Sequence, residues 1–278
     1  MPSPDLDLLN SLLLTPAGPL DDIIVKESVT STNDELRDHV EHSDQAPGRV
    51  MLVARHQQAG KGRAGRQWVT GPDQALTASI YFEPDIPADA MTWLPLIAGY
   101  GVVTALRGTY AVPAALKWPN DIVVADPDAP QHAGWSHLRK LGGILVERVG
   151  EHGVIVGVGI NVHQEVDELP VPTATSLSAL GVSDASVTFL LAGIVRACAD
   201  VLLQFAEANA DIMASGLRDE ITQSTVTIGS TVVAELPDGS SIDGQAVGLD
   251  PRGALLIERD GGNVTAVTSG DVYHLRLK

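Results

Sequence analysis

The chain of 278 residues has one cysteine, Cys198, so no disulfide can close within it and no cysteine-based zinc site can form. That economy suits a reducing compartment, and a cytoplasmic location is the default expectation. Cations are scarce too: 18 Lys and Arg stand against 35 Asp and Glu, a formal net charge of -17. Such a field opposes a nonspecific grip on nucleic acid or an anionic membrane and points to a small-molecule or protein partner. No stretch reaches the roughly 18 consecutive apolar residues of a membrane span. Asp5 and Asp7 stand where a secretory signal would be positive, so neither a span nor a signal peptide is expected. The eight histidines form no H-x-x-x-H pair, no local Ser/His/Asp signature occurs, and no Gly-Lys-Ser/Thr completes a phosphate loop.

What is present is enough apolar sequence, 44% of residues, for one or two domains with a buried core. Ile23–Ser28, Arg49–Arg55 and Ala75–Glu83 read as strands. Thr32–Val40 and Ala90–Leu106 read as helices, the second despite Pro95 and its glycines. Leu141–Arg148 and Val154–Ile160 read as a buried strand pair, and Val187–Glu207 as a core helix. From Thr225 onward only short β-branched runs remain, separated by turns at Asp238-Gly239, Pro251-Arg252-Gly253 and Asp260-Gly261-Gly262, the pattern of a small barrel. The expected organisation is an N-terminal tail (1–20), a main domain (21–222) and a C-terminal β domain (223–278). Ala125–His137, rich in Pro, Asp and Gly, is expected to be a mobile surface loop.

The richest stretch is Gln57–Trp68, QQAGKGRAGRQW. Between Gln45 and Pro72 there is no acidic residue, whereas Arg49, Arg55, Lys61, Arg63 and Arg66 all fall there. In so acidic a protein this is where an anion would be held. Gly60, Gly62 and Gly65 spell G-x-G-x-x-G, but Gln67–Pro72 is a turn sequence and not the helix a dinucleotide fold requires. What remains is a flexible glycine loop that presents cations to phosphates, or else a solvated basic hairpin. Trp68 closes the stretch and would either stack on a purine or pack on the sheet. Lys117 follows Ala114-Ala115-Leu116 and precedes Trp118-Pro119, which reads as a strand end that pushes an ammonium into the interior or a cleft. It needs an anionic ligand or an internal partner, Asp121. Ser31-Thr32-Asn33 offers directional bonds for a small polar ring, although Thr32 with Glu35 also satisfies a capping box. Glycines 142, 143, 157 and 159 interrupt apolar strands, which suggests close approach of a ligand or another backbone. Cys198 reads as a core residue.

Taken together, Ser31-Thr32-Asn33, the loop Gln57–Trp68, KWPND at Lys117–Asp121, RKLGGILVE at Arg139–Glu147 and GVGINV at Gly157–Val162 resemble, in order, the motifs of biotin protein ligases. The C-terminal segment is similar to that family's small SH3-like domain. The resemblance implies an α+β catalytic fold related to class II aminoacyl-tRNA synthetases, with a mixed, largely antiparallel sheet. It also implies that biotin is activated by ATP as biotinyl-5′-AMP, with Mg²⁺, and transferred to a lysine of a biotin carboxyl carrier domain. By the same resemblance Ser31, Thr32, Asn33, Gln57 and Gly143 would bind biotin, and Lys61, Gly62 and Arg63 would close over biotin and phosphates. Lys117 would hold the biotin carboxylate and the α-phosphate, with Arg63 beside it in the chemistry. Trp68 would face adenine, Arg66 would meet the nucleotide, and Asn161 would lie near the phosphates and Mg²⁺, with no certain protein ligand for the metal. Lys61 stands where the family commonly has arginine, and the link between KWPND and RKLGG is longer than in compact members. Residues 1–22 contain no Lys or Arg, so no DNA-binding repressor role is expected, and the protein should be a monomer or weak homodimer. A lipoate or octanoate ligase of the same superfamily and a biotin-sequestering protein are the competing readings.

Overall fold

The computed structural model describes residues 4–43, 48–84 and 86–274. In chain order its elements are α1 (Leu6–Leu13), β1 (Asp22–Lys26), α2 (Thr32–Glu41), β2 (Val50–Ala54), β3 (Gly60–Lys61), β4 (Gln67–Trp68), β5 (Ala75–Phe82) and α3 (Leu94–Tyr110). Then follow β6 (Ala114–Lys117), β7 (Asp121–Ala125), β8 (Leu138–Val149), β9 (Gly153–Asn161), α4 (Val187–Glu207) and α5 (Leu217–Ser224). The last five are β10 (Thr231–Glu235), β11 (Ser241–Leu249), β12 (Leu255–Glu258), β13 (Val264–Val267) and β14 (Asp271–His274).

Seven strands form the main sheet in the order β1-β2-β5-β9-β8-β7-β6. Only β1 and β2 run parallel, so the sheet is mixed and largely antiparallel. The period of two along each strand divides its residues between two faces. Met51, Val53, Ala78, Ile80, Val156, Val158 and Ile160 join the large core under α3 and α4, whereas Val50, Leu52, Tyr81 and Ile155 meet Leu36 and Val40 of α2. Pro95 is tolerated because it occupies the first turn of α3. Gly101 is required by packing: a Cβ there would lie 2.8 Å from Cys198 Sγ, so the glycine lets α3 and α4 approach closely.

Two expectations about the ends need correction. Residues 6–13 of the expected tail form a helix, because Leu9 and Leu13 are spaced to bury one stripe; both are fully buried, and α1 lies on α4. Arg196 of α4 fastens it by donating to Leu12 O at 2.6 Å. α4 itself is long and apolar enough, by length and composition, to cross a membrane, yet ten of its residues are buried in this fold. At the other end α5 runs through residue 222, where the domain boundary was expected. The β segment beyond it is a five-stranded antiparallel sheet in the order β13-β12-β11-β10-β14; among the described residues its outer strands do not pair with each other. This sheet is bolted to the main one. Trp118 donates its backbone N–H to Thr227 Oγ1 at 3.0 Å and its indole N–H to Gly253 O at 3.1 Å, and Trp93 donates to Pro251 O at 2.8 Å.

Candidate active site

A cleft opens on the α2 face of the main sheet. On β9 the residues of that face read Ile155, Gly157, Gly159, so a bulky wall gives way to a trough. A Cβ on Gly157 would lie 2.4 Å from Asn33 Oδ1, and one on Gly159 would lie 2.9 Å from Trp68 Cε2. The two glycines therefore make room for the side chains that line the cleft.

The floor is a hydrogen-bonded network of neutral side chains that ends on one carboxylate, Glu147. Thr32 donates its backbone N–H to Gln57 Oε1 at 2.8 Å and its hydroxyl to the same oxygen at 3.0 Å. The Ser79 hydroxyl donates to Asn33 Oδ1 at 2.6 Å and lies 2.8 Å from Thr32 Oγ1. Asn33 Nδ2 donates to Glu147 Oε2 at 2.7 Å and to Leu145 O at 3.3 Å. The capping box expected of Thr32 and Glu35 is absent: Thr32 is the first helical residue, its hydroxyl is taken by Gln57, and Glu35 pairs with Lys26 at 3.3 Å. Ser31 is buried, lines the cleft and makes no side-chain capping bond to α2.

The rim is cationic. Gly60–Trp68 forms a hairpin, with Gly60 opposite Trp68 and Lys61 opposite Gln67. Its tip turns through left-handed Ala64 (φ 53°) and Gly65 (φ 74°), where glycine is at ease and alanine is strained. It is a basic hairpin whose Lys61 and Ala64–Gln67 are exposed, as one reading held, while Arg63 is half-buried and lines the cleft. Burial pulls its guanidinium below the ordinary value, against the opposing charge of Asp121, and no hydrogen bond or ion pair holds that guanidinium among the described residues. The other rim cations each lean on a carboxylate: Lys61 on Asp34 at 2.7 Å, Lys140 on Asp121 at 2.5 Å, and Arg66 on Asp271 of β14. Arg49 and Arg55 do not join them, because Asp21 holds the first at 3.3 Å and Asp73 and Glu27 each hold the second at 2.7 Å. The ring of Trp68 packs on Gly159 and is half-buried, its indole N–H buried without a partner among the described residues; the Lys140 ammonium lies 5.9 Å from the ring centre.

Residues 25–161 match the Biotin/lipoate A/B protein ligase family and residues 227–275 the Biotin protein ligase C terminal domain. A Biotin--[acetyl-CoA-carboxylase] ligase of Mycobacterium tuberculosis is 36% identical over 231 residues, 82% of this chain and 79% of that protein. The chain belongs to the biotin protein ligase family. The Bifunctional ligase/repressor BirA of Escherichia coli is 29% identical over 94% of this chain and 76% of its own length. The biotin protein ligase of Aquifex aeolicus, solved in complex with biotin and ATP, superposes with a TM-score of 0.73 at 26% identity, covering 92% of this chain and all of that one. The protein is therefore an enzyme, a ligase with the family's catalytic fold and C-terminal β domain.

Most residues expected to serve this ligase do converge on one cleft: Ser31, Thr32, Asn33, Gln57, Lys61, Gly62, Arg63, Arg66, Trp68 and Gly143 all line it. Lys117 and Asn161 do not. Lys117 is 5% exposed and donates to Val272 O of β14 at 2.6 Å, beneath the ring of Trp135 at 4.7 Å. Burial pulls its ammonium down to about 8, and the expected ion pair with Asp121 is replaced by that of Lys140. Asn161, two residues beyond Gly159 on the same face of β9, is buried, its amide donating to Thr175 O at 2.9 Å and accepting from Gln164 at 3.1 Å.

Lys140, Ser79 and Glu147 were not singled out from sequence. For Lys140 the cause is a register shift: Lys140 pairs with Val123 but Gly142 with Ile122, so Leu141 is an extra residue on β8. The bulge brings Lys140 onto the face of Gly143, whose Cβ would lie 3.6 Å from Lys140 Nζ, whereas strict alternation would turn it away. Among the described residues no three His, Cys, Asp or Glu side chains gather to hold a metal, and Asp121, the one carboxylate on the cleft wall, is taken by Lys140.

Proposed function

We propose that this ligase joins biotin to ATP, forming biotinyl-5′-AMP and pyrophosphate, and then passes the biotinyl group to a lysine of a biotin carboxyl carrier domain. The observation that carries this reading is the polarity of the cleft, a neutral floor leading to a rim of four cations, Lys61, Arg63, Arg66 and Lys140. A neutral, hydrogen-bonding ring fits the Ser31–Asn33 and Gln57 end. Its carboxylate tail points toward the cations, where phosphates add more negative charge. A carboxylate oxygen attacks the α-phosphorus and the bond to pyrophosphate breaks. Two anions must meet for that step, and a fixed ammonium between them both positions and stabilises the developing charge. Lys140 takes this role in place of Lys117, because it stands on the cleft wall beside Gly143. In the second step a neutral carrier lysine attacks the biotinyl carbonyl, AMP leaves, and the nitrogen loses a proton; no covalent enzyme nucleophile is required. The unpartnered indole N–H of Trp68 is a donor the bound nucleotide would satisfy. Mg²⁺ would arrive on the phosphates.

The acetyl-CoA-carboxylase ligase of Mycobacterium tuberculosis and the biotin and ATP in the Aquifex complex support this reading. The net charge of -17 makes a role as a DNA-binding repressor unfavourable. Biotin-dependent exchange of pyrophosphate into ATP tests the first step, and streptavidin blotting of a purified carrier domain tests the second. Exchange that responds to lipoate or octanoate and not to biotin would overturn the reading in favour of the sister ligases, and biotin binding without exchange would leave a sequestering protein.

A further inference from the structure

One member of the floor network stands outside the cleft. Glu147, near the end of β8, does not line it; the residue lies in the depression between β8 and the rim hairpin, with 27% of its side chain exposed. Its carboxylate nonetheless accepts from Nδ2 of Asn33, which is buried and wedged on Gly157, at 2.7 Å. The other acceptor that faces this amide is the Leu145 carbonyl at 3.3 Å. A carboxylate and a carbonyl accept and do not donate, so together they hold the amide nitrogen outward and turn Oδ1 inward to Ser79. Ser79 has a single proton, which Asn33 Oδ1 takes at 2.6 Å. Thr32 Oγ1, 2.8 Å from the Ser79 hydroxyl, therefore receives no proton from it and is left as an acceptor. Gln57 Oε1 is already satisfied by the two donors of Thr32, and Gln57 Nε2 is left as a donor with no bond among the described residues.

A free acceptor beside a free donor suits a cyclic urea, in which N–H groups flank a carbonyl. The pattern lasts only while Asn33 keeps its orientation. Were the amide turned over, its nitrogen would donate to Ser79, and the Ser79 proton would pass to Thr32 Oγ1 and occupy the acceptor. We propose that Glu147 is a positioning residue for biotin: without touching the ligand it fixes the direction of the Asn33 amide, and so the donor and acceptor pattern that the floor shows to the urea of the ring. The inference rests on the ligase reading given above. Arg37 of α2 is a minor member of the arrangement. Its guanidinium stands 3.5 Å from the same carboxylate oxygen and its side chain is 30% exposed, so it adjusts Glu147 without holding it in place.

The test measures biotin and desthiobiotin binding by calorimetry, and biotin-dependent pyrophosphate exchange, in the full-length enzyme. The variants are Glu147→Ala, Glu147→Gln, Arg37→Ala, Asn33→Ala and the Asn33→Ala/Glu147→Ala double variant. Glu147→Ala should weaken biotin about tenfold, the scale of one hydrogen bond to a charged acceptor. The ATP KM should stay within about twofold and kcat within about threefold, because the loss falls on binding of one substrate. Desthiobiotin, which keeps the urea and lacks the sulfur, should weaken by the same factor as biotin. Glu147→Gln still offers an oxygen to Asn33 and should stay within about threefold of wild type, as should Arg37→Ala. The double variant should bind biotin no more weakly than Asn33→Ala, because Glu147 acts through Asn33. Wild-type biotin binding by Glu147→Ala, an equal loss of ATP, unchanged desthiobiotin affinity, a Glu147→Gln enzyme as weak as the alanine variant, or effects that multiply in the double variant would each overturn the proposal. Should Glu147→Ala fail to fold, as read by its thermal midpoint, because Arg37 has lost its counter-charge, Arg37→Ala/Glu147→Ala removes both charges. Biotin bound about tenfold more weakly by that enzyme supports the proposal, and wild-type binding overturns it. Failure of the ligase reading would appear separately, as no biotin-dependent exchange in the wild-type enzyme.

Discussion

On the floor of the cleft Thr32, Asn33, Gln57 and Ser79 are bonded to one another and buried, whereas on the rim Lys61, Arg66 and Lys140 reach half-exposed to carboxylates of α2, β14 and β7. The floor keeps its geometry because no member can turn without leaving a buried polar atom unpaired, which costs about 1–3 kcal/mol. The rim pairs are worth about 0–1 kcal/mol each, so an arriving phosphate can displace Asp34 or Asp121 at little cost. The contrast teaches that one site can be rigid toward the neutral part of its ligand and exchangeable toward the charged part.

The sharpest way to break this contrast is Lys140→Ala, which should reduce biotin-dependent pyrophosphate exchange about 10²- to 10³-fold. Lys140→Arg should keep part of the rate, because it restores the charge but not the point geometry of an ammonium. Wild-type exchange in the alanine variant would leave the rim without a working cation. Lys117 marks the opposite limit, a cation with neither solvent nor carboxylate, and its linkage has a definite sign. Below pH 8 the folded and unfolded chains both hold the proton, and the fold bears the full cost of burying it. Between about 8 and the ordinary lysine value of 10.5 the folded chain releases the proton first, so stability should rise with pH relative to Lys117→Met. The relative gain is on the order of 3 kcal/mol across that window, measured by denaturant unfolding at each pH. On the floor, Asn33→Ala should raise the biotin KM about 10- to 30-fold with little change in salt dependence, since the lost amide and the remaining Thr32, Gln57 and Ser79 carry no charge to be screened. A salt-sensitive KM would mean that the floor is electrostatic after all. Lys61→Ala should be mildest, within about threefold on nucleotide KM at moderate salt, because its half-exposed pair with Asp34 contributes little.

Strand positions were legible because their periodicity is local, and the core helix Val187–Glu207 was bounded to the residue by its apolar run. The cationic hairpin was legible as a cluster, although sequence alone could not separate Arg49 and Arg55, which serve Asp21, Asp73 and Glu27, from the three cations that face the cleft. Lys117 was correctly read as pushed into the interior, but the surface that buries it is a strand 155 residues further on, and no local pattern encodes that meeting. Lys140 was hidden by a single extra residue on β8, which reverses the alternation on which a strand reading depends. The Thr32 hydroxyl satisfied a local rule on paper and a distant partner, Gln57, in the fold.

α1 shows how far the fate of a segment depends on its company. The 21 residues of α4 have the length and composition of a bilayer span, and what keeps them in this fold is contact with α3 on one side and the short α1 on another. Removing residues 4–20 would strip Leu9, Leu13 and Leu20 from the core and uncover apolar surface on α4. A shortened protein should then aggregate, although residues 4–20 do not line the catalytic cleft. A loss of activity in such a variant would report on where the protein went and not on its chemistry.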